Sequence, residues 1–403
     1  MRPFTDERHD ELRERVLRAF PRSAPGETLT LPGVGVVDGS EKIFLRGAPA
    51  AIQELVEGVA QKMRDAAGDR LIKANLFPLS VPAAHGGAFE SVSPLALVVA
   101  REALAGRDAA CDAALAVQTL AALPIMRAGT DAQRARWLAG FANGSERGAF
   151  ALTDEAGSDV AALATTATRD GDGYRLEGQK LLISGAPSAT MFVVFARTGA
   201  PGNRACSAFI VLPNAPGIDQ EPVRNLGEHE LGTVRLEGVW VPTSARIGAE
   251  GDGLSLALGA LELMRPTVGA AACGMAARAL EETRALVRER KRGGIALGEH
   301  ESVRMKLAEL ATELEAARLL VYRAAWLRET SPAGARLDAP SAMAKLFATE
   351  AAGRIVDACV QLHGGLGVVR GAIVERLYRE VRALRIYEGA SDVLKLVIAR
   401  SLS

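Results

Sequence analysis

The stretch ESVRMKLAELATELEAARLLVYRAAW, Glu301 to Trp326, has apolar residues at Val303, Leu307, Leu310, Leu314, Ala317 and Val321. The steps alternate between four and three residues, which keeps one row of apolar side chains on a single helix face. Such a row must be buried against a partner. It predicts an antiparallel helix bundle, either complete within one chain or shared between subunits. Long helical patterns run from about Gly251 to the C-terminus, so the bundle governs that part of the chain.

Upstream the period changes. In ATTATRDGDGYRLEGQKLLIS, β-branched and aromatic residues lie either side of an Asp-Gly turn, a hairpin signal. MFVVFART, ACSAFIVLP and TVRLEGVWVP follow as strands bounded by Gly, Pro and Asn, which predicts a small barrel or sandwich. From Pro3 to about Gly148 the pattern is mostly helical, with helices predicted over Ala50–Arg64 and Ser93–Leu104 and a Pro- and Gly-dense loop from Phe77 to Phe89 between them. Residues Pro21 to Pro49 hold turn residues around a strand-like LTLPGVGVV. GVGVVD resembles a dinucleotide-binding glycine pattern, but Asp38 takes the third glycine position and no helix pattern opens after it, so it reads as a turn. The expected architecture is α+β and multidomain: a helical domain over 1–148, a β domain over 149–251 and a four-helix bundle over 252–403.

Charge narrows the function. The 403 residues carry no formal net charge, so nothing points to nucleic acid or an anionic membrane surface. The N-terminal MRPFTDERHDELRER is too charged for a secretory signal, and no apolar run looks long enough to span a bilayer. Cys111, Cys206, Cys273 and Cys359 lie far apart without a CxxC or a Cys/His cluster. They read as reduced, buried thiols of a cytoplasmic protein with no metal site.

Four short stretches can carry chemistry. ALTDEAGSD, Ala151 to Asp159, suits a turn that donates amides to an anion or a polar ring edge, and equally suits an ordinary turn. KLLISGA, Lys180 to Ala186, ends a strand on the hydroxyl of Ser184. QLHGGLG, Gln361 to Gly367, has three glycines within four residues. That allows close backbone approach to a flat or phosphorylated group, or a plain helix C-cap, with His363 structural. In RIYEGASD, Arg385 to Asp392, Glu388 stands between apolar stretches with Gly389 and Ala390 after it. It is either a first-turn helix acid or a functional carboxylate.

Taken together these stretches resemble the acyl-CoA dehydrogenase family over nearly the whole chain. VPAAHGG matches the family's VPxxxGG loop, GTDAQRARWLAGFANGS its GxxxQxxxxL segment and ALTDEAGSD its TEPxxGSD signature. DGDGYRLEGQKLLISGA matches the strands after that signature, and VWVP with GLSLALGALELMRP matches the entry to the bundle. QLHGGLGVVRGAIVERLYREVRALRIYEGASDVLKLVIAR matches the closing signature.

The resemblance implies FAD-dependent oxidation of the Cα–Cβ bond of an acyl thioester. A glutamate takes the α proton and the β hydrogen leaves as hydride to the flavin; an electron-transfer flavoprotein is the implied acceptor. Glu388 matches the base; the alternative position before Arg265 is Met264. Thr153 and Ser184 match hydroxyls that bond the flavin, Leu182 the tryptophan beside it, and Ser158 a serine near the pantetheine arm. Glu262, Arg265 and Gly389 match substrate-side positions. Arg290, and Gln361 to Gly365 with Gly364 and Gly365, match contacts to the cofactor of a neighbouring subunit, implying a homodimer or homotetramer.

The chain departs from the pattern at Leu182, at Gly293 for an aromatic, at Glu301 for Gln, at Ala390 for Thr and at Asp392. TDEAGSD is also one residue short and lacks the proline. At a separation of about 6 Å and an effective dielectric of about 20, a carboxylate such as Glu301 or Asp392 beside the cofactor phosphates costs about 2–3 kcal/mol, which predicts weakened FAD binding. Two alternatives remain on the same fold: a flavin monooxygenase, which needs no glutamate base, and a flavin-poor homologue that binds or isomerises acyl thioesters.

Overall fold

The computed structural model describes residues 4–21, 29–31, 35–37, 67–199, 205–332 and 335–402. The helix expected over Ala50–Arg64 and most of Pro21–Pro49 lie outside them. Within that second stretch, β1 (Leu29–Leu31) and β2 (Gly35–Val37) pair antiparallel, so Gly35 to Val37 of the GVGVVD read as a turn form a strand instead.

The first helices are set by their caps. Asp6 caps α1 (Glu7–Ala19), and Ser93 Oγ accepts from Ala96 N at 3.1 Å to start α2 (Pro94–Ala105). Asp108 caps α3 (Ala109–Ala128), and a Thr130–Gln133 capping box opens α4 (Asp131–Asn143).

The β region is one mixed sheet. Its strands are β3 (Gly148–Ala151), β4 (Thr166–Asp170), β5 (Gly173–Ser184), β6 (Met191–Arg197), β7 (Cys206–Val211), β8 (Ile218–Pro222), β9 (Leu231–Pro242) and β10 (Arg246–Ile247), in spatial order β10-β7-β6-β4-β5-β9-β8, with β3 parallel beside β6. The predicted hairpin is β4–β5, turning on Gly171 and Asp172. The β6 side chains alternate between two cores. Met191, Val193 and Phe195 pack toward Ile125 and Phe141 of the helices. Phe192 and Val194 pack toward Tyr174, Leu176, Val234 and Leu236 of β5 and β9. Covering both faces explains why MFVVFAR reads as an unbroken apolar run. The long β5–β9 pair folds over β6 and β7 like the second layer of a sandwich, within a single hydrogen-bonded path.

The bundle comprises α5 (Gly253–Glu289), α6 (Glu301–Thr330), α7 (Asp338–His363), α8 (Ile373–Leu384) and α9 (Ser391–Arg400). In α6, Leu310, Leu314, Ala317 and Val321 are buried as their spacing requires, while Val303 and Leu307 are half-buried. Leu12 and Val16 of α1 and Leu97 and Val98 of α2 join the same core as Met264, Val268, Leu314 and Ile355. The first helices and the bundle therefore bury one another.

One expectation is corrected. Ala109–Ala128 and Gly253–Glu289 are long and apolar enough to cross a bilayer. Here they are central helices, with 56% and 72% of the apolar window buried, because Ala-rich faces pack closely against several neighbours at once.

Candidate active site

Among the described residues only Asn75, Leu182 and Glu388 adopt a positive φ without being glycine. Two of the three lie in the stretches singled out by sequence. A left-handed backbone costs an L-residue on the order of 1–2 kcal/mol, so the surrounding structure must impose it.

Glu388 lies in the turn between α8 and α9, at φ +53°, followed by Gly389 at +104°. It is not a helix cap: the N-cap of α9 is Ala390, with no side-chain hydrogen bond there. Its Oε2 is sealed from solvent and has no hydrogen-bond partner, although the residue as a whole is half-buried. Burial pushes the carboxyl above its ordinary value, against the pull of Arg101, Lys345 and Arg265. Arg265 Nε donates to the Glu388 carbonyl oxygen at 3.4 Å, and Lys345 Nζ to the Gly389 carbonyl oxygen at 2.7 Å. Met264, at the alternative base position, is fully buried. Glu262 is paired with Arg328.

Beneath this turn lies an ion pair that sequence reading missed. Arg101 of α2 grips Asp112 of α3 with Nε to Oδ1 and Nη2 to Oδ2, both at 2.8 Å, and its Nη1 donates to Thr267 Oγ1 at 2.7 Å. Tyr387, the neighbour of Glu388, meets the His229 ring edge-on at 6.1 Å. Loop 225–229 is pinned to α8, where Glu380 accepts from Glu228 N and Arg379 Nη1 donates to the Leu226 carbonyl oxygen. The sheet therefore docks one residue away from the candidate base.

The residues matched by resemblance to flavin contacts lie on β5 and in the turn beside it. Leu181 N donates to the Thr153 carbonyl oxygen at 2.9 Å, joining the ALTDEAGSD turn to β5. A second missed pair anchors that turn: Lys180 Nζ donates to Asp154 Oδ2 at 3.1 Å and to the Leu152 carbonyl oxygen at 2.9 Å, with Lys180 and Asp154 both buried. A β-bulge between Lys180 and Ile183 turns Leu182 outward, 58% exposed at φ +55°. Thr153 and Ser184 are half-buried nearby, and Ser158 is exposed in the turn.

The remaining cofactor candidates gather elsewhere. Arg290 Nη1 donates to the His363 carbonyl oxygen at 2.8 Å, and a Cβ on Gly364 would lie 3.6 Å from that guanidinium. Gly365 has open space where its Cβ would be, and Gln361 is exposed beside it. Bare backbone next to a cation suits a pyrophosphate, and an exposed apolar side chain between hydroxyls suits a ring system, so the residues present fit FAD. Asp392 is exposed and bonded to Lys395 Nζ at 3.0 Å in the first turn of α9, which reduces the repulsion expected of it. Glu301, at the start of α6, and Gly293 are also exposed.

Family models for the acyl-CoA dehydrogenase N-terminal, middle and C-terminal domains match residues 46–145, 149–239 and 251–403. Cyclohexane-1-carbonyl-CoA dehydrogenase of Geobacter metallireducens is 35% identical over 81% of this chain and 86% of its own length. The caffeyl-CoA reductase-Etf complex subunit CarC of Acetobacterium woodii is 33% identical over 83% of this chain and 88% of its own. Butyryl-CoA dehydrogenase from Megasphaera elsdenii superposes with a TM-score of 0.84 at 27% identity, covering 99% of this chain and 98% of that one. With the three domains matched in order, the chain belongs to the acyl-CoA dehydrogenase family, flavoprotein oxidoreductases that act on CH–CH bonds.

Proposed function

We propose that this protein interconverts a saturated acyl thioester, an acyl-CoA or acyl carrier protein adduct, and its α,β-unsaturated counterpart, with Glu388 as the base at Cα. The observation that carries this reading is the sealed, unpartnered Oε2 of Glu388 on a strained backbone. A carboxylate without a hydrogen-bond donor is a stronger base, and taking up the proton removes a buried charge, so burial favours the step. Among the described residues the Glu388 amide has no hydrogen-bond partner and is free to donate to the thioester carbonyl, where negative charge develops as the proton leaves. Water has no access to Oε2, which is closed to solvent.

FAD, when bound, supplies the acceptor for the β hydrogen as hydride. Thr153, Leu182 and Ser184 would hold its ring, and Arg290, Gln361, Gly364 and Gly365 of a second subunit its pyrophosphate, in a homodimer or homotetramer. An electron-transfer flavoprotein is the electron acceptor, a reading supported by the Etf complex named for the Acetobacterium relative.

The test is the visible spectrum of the purified protein, before and after anaerobic addition of acyl-CoAs of graded chain length. The expected result is a bound flavin that at least one saturated thioester bleaches. A colourless protein that cannot be reconstituted would overturn the reading, as would hydroxylated product formed with oxygen uptake.

A further inference from the structure

Lys345 is fully buried in α7, and among the described residues its ammonium makes one hydrogen bond, to the Gly389 carbonyl oxygen at 2.7 Å. A buried cation with one neutral acceptor is costly, and a methionine would fill the same space without that cost. The acceptor is the second carbonyl of a turn whose two residues both have positive φ; Arg265, from α5, reaches the first. Two cations from two helices thus hold consecutive carbonyls of one strained turn. Resting on Glu388 as the base, we infer that Lys345 is a positioning residue that holds the Glu388–Gly389 turn and keeps the Glu388 carboxylate ionised and ready to accept a proton.

The charged groups around it decide the sign. Glu388 faces Arg101 of α2, Asp112 of α3, Arg265 of α5 and Lys345 of α7. Lys345 faces Glu388, Arg265 and, five residues along α7, Glu350, which is bonded to Ser391 and Arg385. Burial draws the Lys345 amine down to about 8, so it is cationic at neutral pH and loses its charge above that. While cationic it lowers the pH at which Glu388 ionises. Removing it must raise that pH.

The experiment reads Glu388 directly, without substrate. The infrared C=O stretch of a protonated carboxyl is followed against pH in the holoenzyme and assigned to Glu388 by its loss in Glu388→Gln. In Lys345→Met the midpoint should rise by about one unit or more, so that less of Glu388 is ionised at a given pH around that midpoint. Lys345→Gln keeps a donor for the Gly389 carbonyl and should show the same shift with a melting temperature closer to the parent. Lys345→Arg keeps the charge and should leave the midpoint near its original value. An unchanged midpoint in both neutral variants overturns the inference and leaves the base assignment standing. Absence of any Glu388-dependent band at every pH, in the parent and in both neutral variants, likewise overturns the inference, while the base assignment is tested separately by α-hydrogen exchange.

Discussion

Arg290 Nη1 and the His363 carbonyl oxygen, 2.8 Å apart, hold the end of α5 against the end of α7, far from Glu388. From Arg265 to Glu289 is 24 residues of helix, so at about 1.5 Å per residue the two places are about 36 Å apart along α5. No single dinucleotide bridges that gap. If both places serve one cofactor, they must come from different subunits. Arg290→Ala and Glu388→Gln, each inactive alone, should then complement when co-expressed. In a two-fold dimer with random mixing, about a quarter of the sites regain both residues. Activity in co-expressed mixtures no higher than in either variant would exclude the shared site.

Glu380 links the bundle to the sheet, and its carboxyl is pushed from 4.5 to about 7 by burial and by the neighbouring Glu228. A raised acid favours the folded state while protonated, so its contribution is full below about pH 4.5 and is lost as pH rises through 7. Glu380→Gln keeps the acceptor for Glu228 N and cannot ionise. It should match the parent's stability at about pH 4, below the ordinary value, and exceed it at pH 8, by up to about 3 kcal/mol. Equal melting temperatures at both pH values would show that Glu380 ionises freely.

Lys180 and Asp154 tie the ALTDEAGSD turn to β5 in a fully buried pair. Burial raises the Asp154 carboxyl, but the nearby Lys180 ammonium and hydrogen bonds, from Thr165 N among others, hold it below its ordinary value. Breaking one partner strands the other, so Lys180→Met should cost about 3–5 kcal/mol. The double change Lys180→Met with Asp154→Leu should cost much less. Chemical denaturation of the three variants would show whether the penalty comes from the stranded charge, which requires the double variant to be the more stable.

The bundle and the strands of the middle region are legible because burial there follows a period. Leu310, Leu314, Ala317 and Val321 keep the helical spacing, and β6 is apolar on both faces because both are covered. Buried charge is what the sequence hides. Arg101, Lys180 and Lys345 look like solvated residues, since no local pattern reveals a partner such as Asp112, eleven positions away, or Gly389, forty-four away. Lys345 did leave a trace. Ser341, Lys345, Ala348, Thr349 and Ala352 fall on one helical face, and all are buried. Glu388 was legible for another reason: an acid between apolar stretches with glycine after it has few uses. Its left-handed backbone, however, is a tertiary effect with no local code.

Glu388→Gln tests the central assignment with two independent readings. Gln preserves size but cannot take the α proton, and a positioned base contributes about 10²–10⁴-fold. Exchange of the α hydrogens of a bound acyl-CoA with deuterated solvent should fall by that factor while the flavin and thioester remain bound. Stability should move the other way. The buried carboxyl is raised above 4.5, so ionising it costs folding free energy that appears as pH climbs past that value and persists above the raised one. The Gln variant escapes this cost and should melt higher than the parent at pH 8, and no higher at pH 4.5. A first-turn helix acid behaves oppositely: its loss would lower stability by about 0.3–1 kcal/mol at neutral pH and leave exchange intact. Slowed exchange together with raised stability at pH 8 is the signature of a buried base, and normal exchange in the variant would end the assignment.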